Sequence, residues 1–255
     1  MSSVPKKKKR KYTVDSCLDV DSSAQMIVQT PNSCGRFFCF LQTNKAQPCS
    51  LIHVPGQCAT LSQAIARAST QRGPTRIVIA SGTYFMPSDT VVVGKNDLVI
   101  QGAGSESTHI HKVGYHGKLR ISDRTKNVTI EGIHLCCAGT GNGIEILNGS
   151  SVVLKSVKIS GAGFGVYING GSNVEIYDST ITNSSCTGVC VDNVGTKCSI
   201  FDSCITHNNS HGCFANNRGA LVLHNCCVDN NGDINCEAQD NGNILLVGGL
   251  ISRNK

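Results

Sequence analysis

A few side chains of the central region have the chemistry of an acid–base site. Glu145 and Tyr167 are 22 residues apart and occupy equivalent outward positions in a repeating pattern, with Lys158 or His134 approaching from another side. A carboxylate and a phenol placed together could exchange protons with a substrate. No outward series places a second acid on the neighbouring repeat, and solvated surface explains these residues better. We therefore predict no catalytic residue and keep Glu145, Tyr167 and Lys158 as candidates only.

Histidine is concentrated in one short stretch. His109, His111 and His116, with Tyr115, could form a polar site together with Arg120. We predict that this stretch belongs to a bulged loop near Ser105 to Lys118, where such side chains are more often ordinary surface.

The cysteines suggest packing more than metal binding. The chain has 15, an odd number, and no secretory signal precedes them, so we interpret them as reduced thiols that fill the core. Neither Cys136-Cys137 nor the pair Cys186 and Cys190 has the usual spacing of a zinc site. Two further pairs fall in register, Cys213 with Cys236 and Cys204 with Cys227, and the second could oxidise. We predict no metal and no cofactor.

The positive charge belongs to one segment. Six consecutive cationic residues account for the net charge of +6, because the remaining 17 Lys and Arg balance 17 Asp and Glu: Lys6, Lys7, Lys8, Lys9, Arg10 and Lys11. We predict that residues 1–12 are a disordered tail. Residues 5–11 resemble a nuclear-import signal and could bind an import receptor, or nucleic acid through its phosphates. With no signal peptide or membrane span, the expected location is intracellular, in a nucleus or virion, with no membrane contact and no secretion.

A repeat of 22 to 24 residues must position all of these groups. Three apolar series keep the same offsets, and short runs of this kind are stable only when they stack. The first contains Val128/Ile130, Val152/Leu154, Val174/Ile176, Cys198/Ile200, Leu221/Leu223 and Ile244/Leu246; the second Leu135, Ile159, Ile181, Ile205, Val228 and Ile251; the third Ile144/Ile146, Val166/Ile168, Val189/Val191, Cys213/Ala215 and Cys236/Ala238. They predict an all-β, single-stranded right-handed parallel β-helix of seven to eight coils over residues 59–255.

The N-terminal part has a different pattern. We predict that residues 13–58 form an irregular segment packed on the body. A short helix should follow, because Thr60 is a suitable N-cap with Gln63 three residues later, and Leu61, Ile65 and Ala68 share one side. Asn183, Asn208 and Asn230 follow the second series and are expected to stack in left-handed turns.

Three segments resemble the entry to the pectate-lyase-like β-helix superfamily: Thr60–Ile65, Arg76–Tyr84 and Leu98–Gly104. The resemblance implies a helix that caps the N-terminal end of the coils, and it extends over about residues 58–255. The superfamily includes lyases, hydrolases, epimerases, viral spikes and non-catalytic modules, so it implies no single activity. The catalytic patterns of its pectate lyases, polygalacturonases and mannuronan epimerases are missing.

The last coil predicts an interface. Five apolar residues on or beside it are expected to contact a partner protein, a second copy or the folded-back segment 13–58: Val222, Leu245, Leu246, Leu250 and Ile251. We therefore predict a non-catalytic structural or interaction protein, a component of a nuclear or large-DNA-virus particle. The alternative is a polysaccharide lyase or carbohydrate-binding module.

Overall fold

The computed structural model describes residues 49–86, 91–112 and 118–252, which contain 22 strands and one helix. The N-terminal elements are β1 (Ser50–Val54), α1 (Leu61–Thr70), β2 (Thr75–Ile79), β3 (Gly82–Met86), β4 (Val91–Val93), β5 (Leu98–Gly102), β6 (Thr108–Lys112), β7 (Leu119–Ile121), β8 (Val128–Glu131), β9 (His134–Cys137) and β10 (Ile144–Ile146). The C-terminal elements are β11 (Ser151–Lys155), β12 (Lys158–Ser160), β13 (Val166–Ile168), β14 (Asn173–Tyr177), β15 (Thr180–Thr182), β16 (Val189–Asp192), β17 (Lys197–Phe201), β18 (Cys204–Thr206), β19 (Cys213–Asn216), β20 (Ala220–Asp229), β21 (Cys236–Ala238) and β22 (Asn243–Ile251).

The strands stack into a parallel β-helix with three faces. Face 1 contains β1, β2, β5, β8, β11, β14, β17 and the first halves of β20 and β22; face 2 contains β3, β6, β9, β12, β15, β18 and the second halves of β20 and β22; face 3 contains β4, β7, β10, β13, β16, β19 and β21. Every pairing is parallel and in register, as in Val152 opposite Val128 and Val174. Seven complete coils, from β2–β4 to β20–β21, confirm the predicted architecture and coil number.

The core consists of the three predicted series. Each strand alternates, so one set of side chains points inward and meets its equivalents about 4.8 Å above and below. Ile130, Leu154, Ile176 and Ile200 are fully buried on face 1, and Leu135, Ile159 and Ile181 are buried on face 2. Burying one such side chain contributes about 1.5–3 kcal/mol, and the repetition makes the cylinder continuous.

The turn between faces 2 and 3 differs from the prediction by one residue. The left-handed residues are Asn183, His207 and Asn230, with φ of 56°, 57° and 54°. The buried, stacked residues are the next ones along, including Asn208 and Asn231. Asn208 was thus wrongly grouped with Asn183 and Asn230.

The helix caps the N-terminal end as predicted. The backbone N–H of Gln63 donates a hydrogen bond to Thr60 Oγ1 at 3.2 Å. Leu61, Ile65 and Ala68 are buried against the first strands. No helix in the described part of the chain is long and apolar enough to cross a membrane.

The β-helix begins earlier than predicted. Ser50–Val54 pairs along its length with Thr75–Ile79, so face 1 starts nine residues before the predicted boundary at 59. Ile52 and Val54 point into the core, which explains why this segment is a strand and not irregular chain. The rest of the predicted N-terminal segment, residues 13–48, and the predicted tail with Lys6–Lys11 lie outside the described residues.

The predicted loop from Ser105 to Lys118 contains a strand. β6 (Thr108–Lys112) pairs with β3 and β9, with Ile110 buried in the core. Extra residues in this coil disturb the period, which hid the strand from the repeat pattern. Tyr115 and His116 lie outside the described residues.

Candidate functional site

The outer side of face 3 contains a buried, fully paired carboxylate. Glu145 is only 6% exposed. Its Oε1 accepts hydrogen bonds from Lys118 Nζ and Asn142 Nδ2, both at 3.0 Å, and its Oε2 accepts one from Arg120 Nε at 2.6 Å. Burial alone would favour the protonated acid, but the hydrogen bonds and charges of Lys118 and Arg120 outweigh it and lower the pKa of Glu145. Solvated surface was therefore the wrong interpretation, and the carboxylate is held ionised without a proton to donate.

Tyr167 lies beside Glu145 on the next coil, but its hydroxyl belongs to another group. It donates to Asp192 Oδ2 at 3.1 Å and accepts from Asn169 Nδ2 at 2.7 Å. Burial, with a smaller contribution from the Asp192 carboxylate, raises the pKa of Tyr167, so its hydroxyl stays protonated at neutral pH.

Glu145 and Asp192, two outward carboxylates of this face, do not lie on adjacent coils. Glu145 is on β10 and Asp192 on β16, two coils or about 10 Å apart along the stack. At the far end of the face, Glu237 Oε2 lies 2.7 Å from His211 Nε2. The acids of face 3 are thus each tied to a neighbouring donor or cation.

Lys158 does not join this group. It projects from β12 on face 2, where its Nζ lies 3.6 Å from Glu106 Oε1. The third candidate is therefore separated from Glu145 and Tyr167 by the edge between faces, as is His134 on β9.

Face 2 brings together histidines that the sequence interpretation had not connected. His109 on β6 lies opposite His134 on β9, and their Nδ1 atoms are 3.3 Å apart. The thiol of Cys136 projects from the same side of β9, and the three groups lie within 4.8 Å of one another. Burial, followed by the nearby Lys158 cation, lowers the pKa of His134 to about 4, while burial raises the pKa of Cys136.

Of the predicted loop site, the described residues His111 and Arg120 have separate partners. The His111 ring contacts the Phe85 ring at a tilt of 41°, with centroids 5.7 Å apart, and Arg120 is held by Glu145 on face 3. The signal for the true pair was the second series: Ile110 stands 25 residues before Leu135, so His109 and His134 precede equivalent core positions.

The last strand presents an apolar surface, here named the C-terminal edge: Leu245, Leu246, Val247 and Leu250, all exposed. Leu246 is 47% exposed, whereas its equivalents Leu223 and Ile200 on the two preceding coils are 1% and 0% exposed. Among the described residues, β22 pairs only with β20, so its other backbone edge has no strand partner.

Two further predicted interface residues adjoin this edge. Val222 and Ile251 are half-buried, and Ile251 and Leu246 line a shallow recess with Ile234 and Cys236. The structure therefore gathers all five predicted interface residues at one end of the β-helix.

The sequence comparison identifies the family. The family described as right-handed β-helix region matches residues 118–255, more than half of the chain. The chain belongs to this family, and its β-helix has the pectate-lyase-like fold. A comparison with curated proteins gives no match.

Solved structures show the same fold at low sequence identity. The A-module of mannuronan C-5 epimerase AlgE6 from Azotobacter vinelandii has a TM-score of 0.59 and 18% identity, over 74% of this chain and 58% of that one. A catalytic domain of a GH87 α-1,3-glucanase has a TM-score of 0.59 and 14% identity, over 75% and 39%. ORF18 of Geobacillus virus E2 has a TM-score of 0.53 and 17% identity, over 65% and 38%. The chain thus spans well under two thirds of the length of each of these proteins.

Proposed function

We propose that this chain is a non-catalytic interaction protein, whose β-helix joins a second copy through the C-terminal edge as a component of a nuclear or large-DNA-virus particle. The main support for this proposal is that Leu246 is 47% exposed, although the equivalent position is fully buried in the preceding coils. An apolar edge of this kind favours association, because a new strand would cover the side chains and satisfy the free backbone groups.

The ends of the β-helix favour a two-fold arrangement. Helix α1 covers the N-terminal end of the core with Leu61, Ala64, Ile65 and Ala68. A head-to-tail stack would have to displace this helix, whereas two C-terminal edges can pair with each other. The expected complex is therefore a closed dimer in which β22 meets β22 of the second copy.

Two observations support a role in a larger particle. ORF18 of Geobacillus virus E2 is a viral protein with this fold. The run Lys6–Lys11 supplies an arm that could bind phosphates or an import receptor, although it lies outside the described residues. The paired acids of face 3 support a non-catalytic role.

Light scattering tests the proposal directly. The full chain is expected to be a dimer, and Leu246→Lys with Leu250→Lys is expected to give monomers. Val194→Lys is the matched control, because Val194 is 67% exposed in a turn away from the edge. Dimers that persist after removal of residues 1–12 and in high salt would support the apolar edge as the contact. A monomeric full chain would contradict the proposal that a second copy binds the C-terminal edge. A dimer that is lost only when the tail is removed would contradict the C-terminal edge as the contact.

The alternative is a polysaccharide lyase or carbohydrate-binding module. It draws on the named activities of the epimerase and glucanase neighbours and on the Tyr167–Asp192 hydrogen bond on face 3. Uronate polymers should then bind or give rising absorbance from unsaturated product, with or without Ca²⁺. Turnover lost in Tyr167→Phe, Glu145→Gln or Lys158→Ala, with the fold intact, would favour this alternative over the proposal.

A further inference from the structure

The outer side of face 2 has a cluster of side chains that could bind a metal ion. The cluster belongs neither to the core nor to the C-terminal edge. His109 and His134 project from adjacent strands at the same register, and Cys136 follows two residues after His134 on the same side of β9. In-register stacking of a β-helix holds such side chains about 4.8 Å apart at their backbones. The group is thus positioned by two paired strands and not by a loop.

The spacing of the two imidazoles matches a tetrahedral zinc site. Nitrogen ligands at about 2.0–2.1 Å from Zn²⁺ are about 3.3–3.4 Å apart in a tetrahedron. The Nδ1 atoms of His109 and His134 are 3.3 Å apart, with the rings arranged edge to face. The Cys136 sulfur lies within 4.8 Å of both. A tetrahedral nitrogen–sulfur edge is about 3.6 Å, so a rotation of this half-buried thiol would complete the set.

A neighbouring hydroxyl orients one of the imidazoles. Ser160 lies on the next coil, and its Oγ is 2.8 Å from His134 Nε2. When that nitrogen donates its proton to Ser160, the lone pair of His134 lies on Nδ1 and points at His109. Ligating histidines commonly use their second nitrogen in this way.

The surrounding charges are compatible with a bound cation. Lys158 is the nearest cationic side chain on the adjoining strand, and its charge is offset by Glu106 at 3.6 Å. A Cys136 thiolate would supply one negative charge to the metal. Two imidazoles and one thiolate suit Zn²⁺ and exclude the hard cations Ca²⁺ and Mg²⁺, which require oxygen ligands.

We propose that His109, His134 and Cys136 bind one Zn²⁺ ion, with the fourth position left for water or an added ligand. The sequence predicted no metal, so this site is a departure from that prediction. The site is independent of the proposed dimer, because it lies on β6 and β9, several coils away from β22.

Titration of the reduced, metal-free full chain with Co²⁺ provides the test. One Co²⁺ per chain is expected, with a thiolate-to-metal charge-transfer band and the intense visible bands of tetrahedral coordination, all removed by added Zn²⁺. Cys136→Ser should abolish the charge-transfer band. His109→Asn and His134→Asn should each weaken Co²⁺ binding by at least about tenfold, and Ser160→Ala by about tenfold through loss of orientation.

Two control variants separate this site from general thiol binding. Cys204→Ser removes an exposed thiol of the same face, and His207→Asn replaces an exposed histidine at a left-handed position that Asn tolerates. Neither should change the spectrum. A charge-transfer band that survives Cys136→Ser, or is lost in Cys204→Ser, would overturn the assignment. The absence of Co²⁺ binding would overturn it as well, and the two imidazoles would then form an ordinary histidine–histidine hydrogen bond. Circular dichroism of each variant checks folding, and the half-exposed His109 and Cys136 provide the test if His134→Asn unfolds.

Discussion

Arg120 Nε lies 2.6 Å from Glu145 Oε2, the carboxylate oxygen of the residue directly above it on the next coil of face 3. The two residues are 25 apart in sequence, close to one turn of the β-helix, and Lys118 binds the other carboxylate oxygen at 3.0 Å. This charged pair therefore links two neighbouring coils, as the in-register apolar pairs of the core do. The interaction is structural, because it uses both oxygens of the carboxylate.

Glu145→Gln should lower stability at neutral pH by about 1.5–3 kcal/mol, the usual range for hydrogen bonds to a charged group. The lowered pKa of Glu145 means that the folded protein binds its proton less readily than the unfolded chain does. Its contribution is therefore complete above the unfolded value of about 4.3 and is lost as the pH falls through the lower folded value. Thermal unfolding from pH 7 to pH 3 should show the difference between the two proteins shrinking below about pH 4.5.

Glu131→Gln is the matched control for this experiment. Glu131 is an outward residue of face 1 and has no ion pair among the described residues. It should change stability little at any pH. A Glu145→Gln penalty that persists unchanged at pH 3 would contradict the ionic origin of the interaction.

Gly188→Ala should destabilise the stack. A Cβ atom at Gly188 would lie 2.6 Å from the Ile205 side chain and 2.7 Å from the Gly212 carbonyl oxygen on the next coil. Overpacking of this kind typically costs about 1–3 kcal/mol. Chemical denaturation should show a lower midpoint. Gly94→Ala is the control, because a Cβ at Gly94 would meet no atom within 4 Å; equal loss in both variants would refute the steric explanation.

The regular coils could be predicted from sequence because their information is repeated. Each core position, such as Ile159 or Ile181, is specified again by its equivalent one coil away, so a single ambiguous residue does not change the pattern. The coil with Thr108–Lys112 has no such support, because inserted residues on either side break the period. Ser50–Val54 was separated from the body because one isolated strand carries no repeat of its own.

Asn231→Ala should also lower stability, by about 1–3 kcal/mol, because it leaves buried groups without hydrogen-bond partners. Asn231 Oδ1 accepts hydrogen bonds from the backbone N–H of Asn208 at 3.0 Å and from Asn208 Nδ2 at 2.9 Å. Asn231 Nδ2 donates to Asn235 Oδ1 at 2.7 Å. Differential scanning calorimetry should show the loss. The exposed Asn209 makes only backbone hydrogen bonds in the described structure, so Asn209→Ala should leave the transition unchanged. Equal shifts for both variants would contradict a buried ladder.

The candidate site was less predictable than the core, for a physical reason. Outward residues are not selected by burial, so their pattern shows which side chains are neighbours in the stack but not how they pair. The stacking of Glu145 on Tyr167 was predicted correctly. The contacts of Glu145 with Lys118 and of Tyr167 with Asp192 are diagonal, because each partner lies two residues from the residue directly opposite on the neighbouring coil. The proximity of His109 and His134 would have required extending the second series across the irregular coil.

The reactivity of two outward cysteines should differ sharply. Cys190 and Cys204 both lie at strand positions that face away from the core, yet Cys190 is buried and Cys204 is exposed. Burial, with the nearby Asp192 carboxylate, raises the pKa of Cys190 to about 12, which leaves almost no thiolate at pH 8. Iodoacetamide at pH 8, followed by peptide mass mapping, should modify Cys204 quickly in the native protein and Cys190 only after denaturation. Equal native rates would show that face 3 is more open around Cys190 than the structure describes, and equal rates in denaturant are the necessary control.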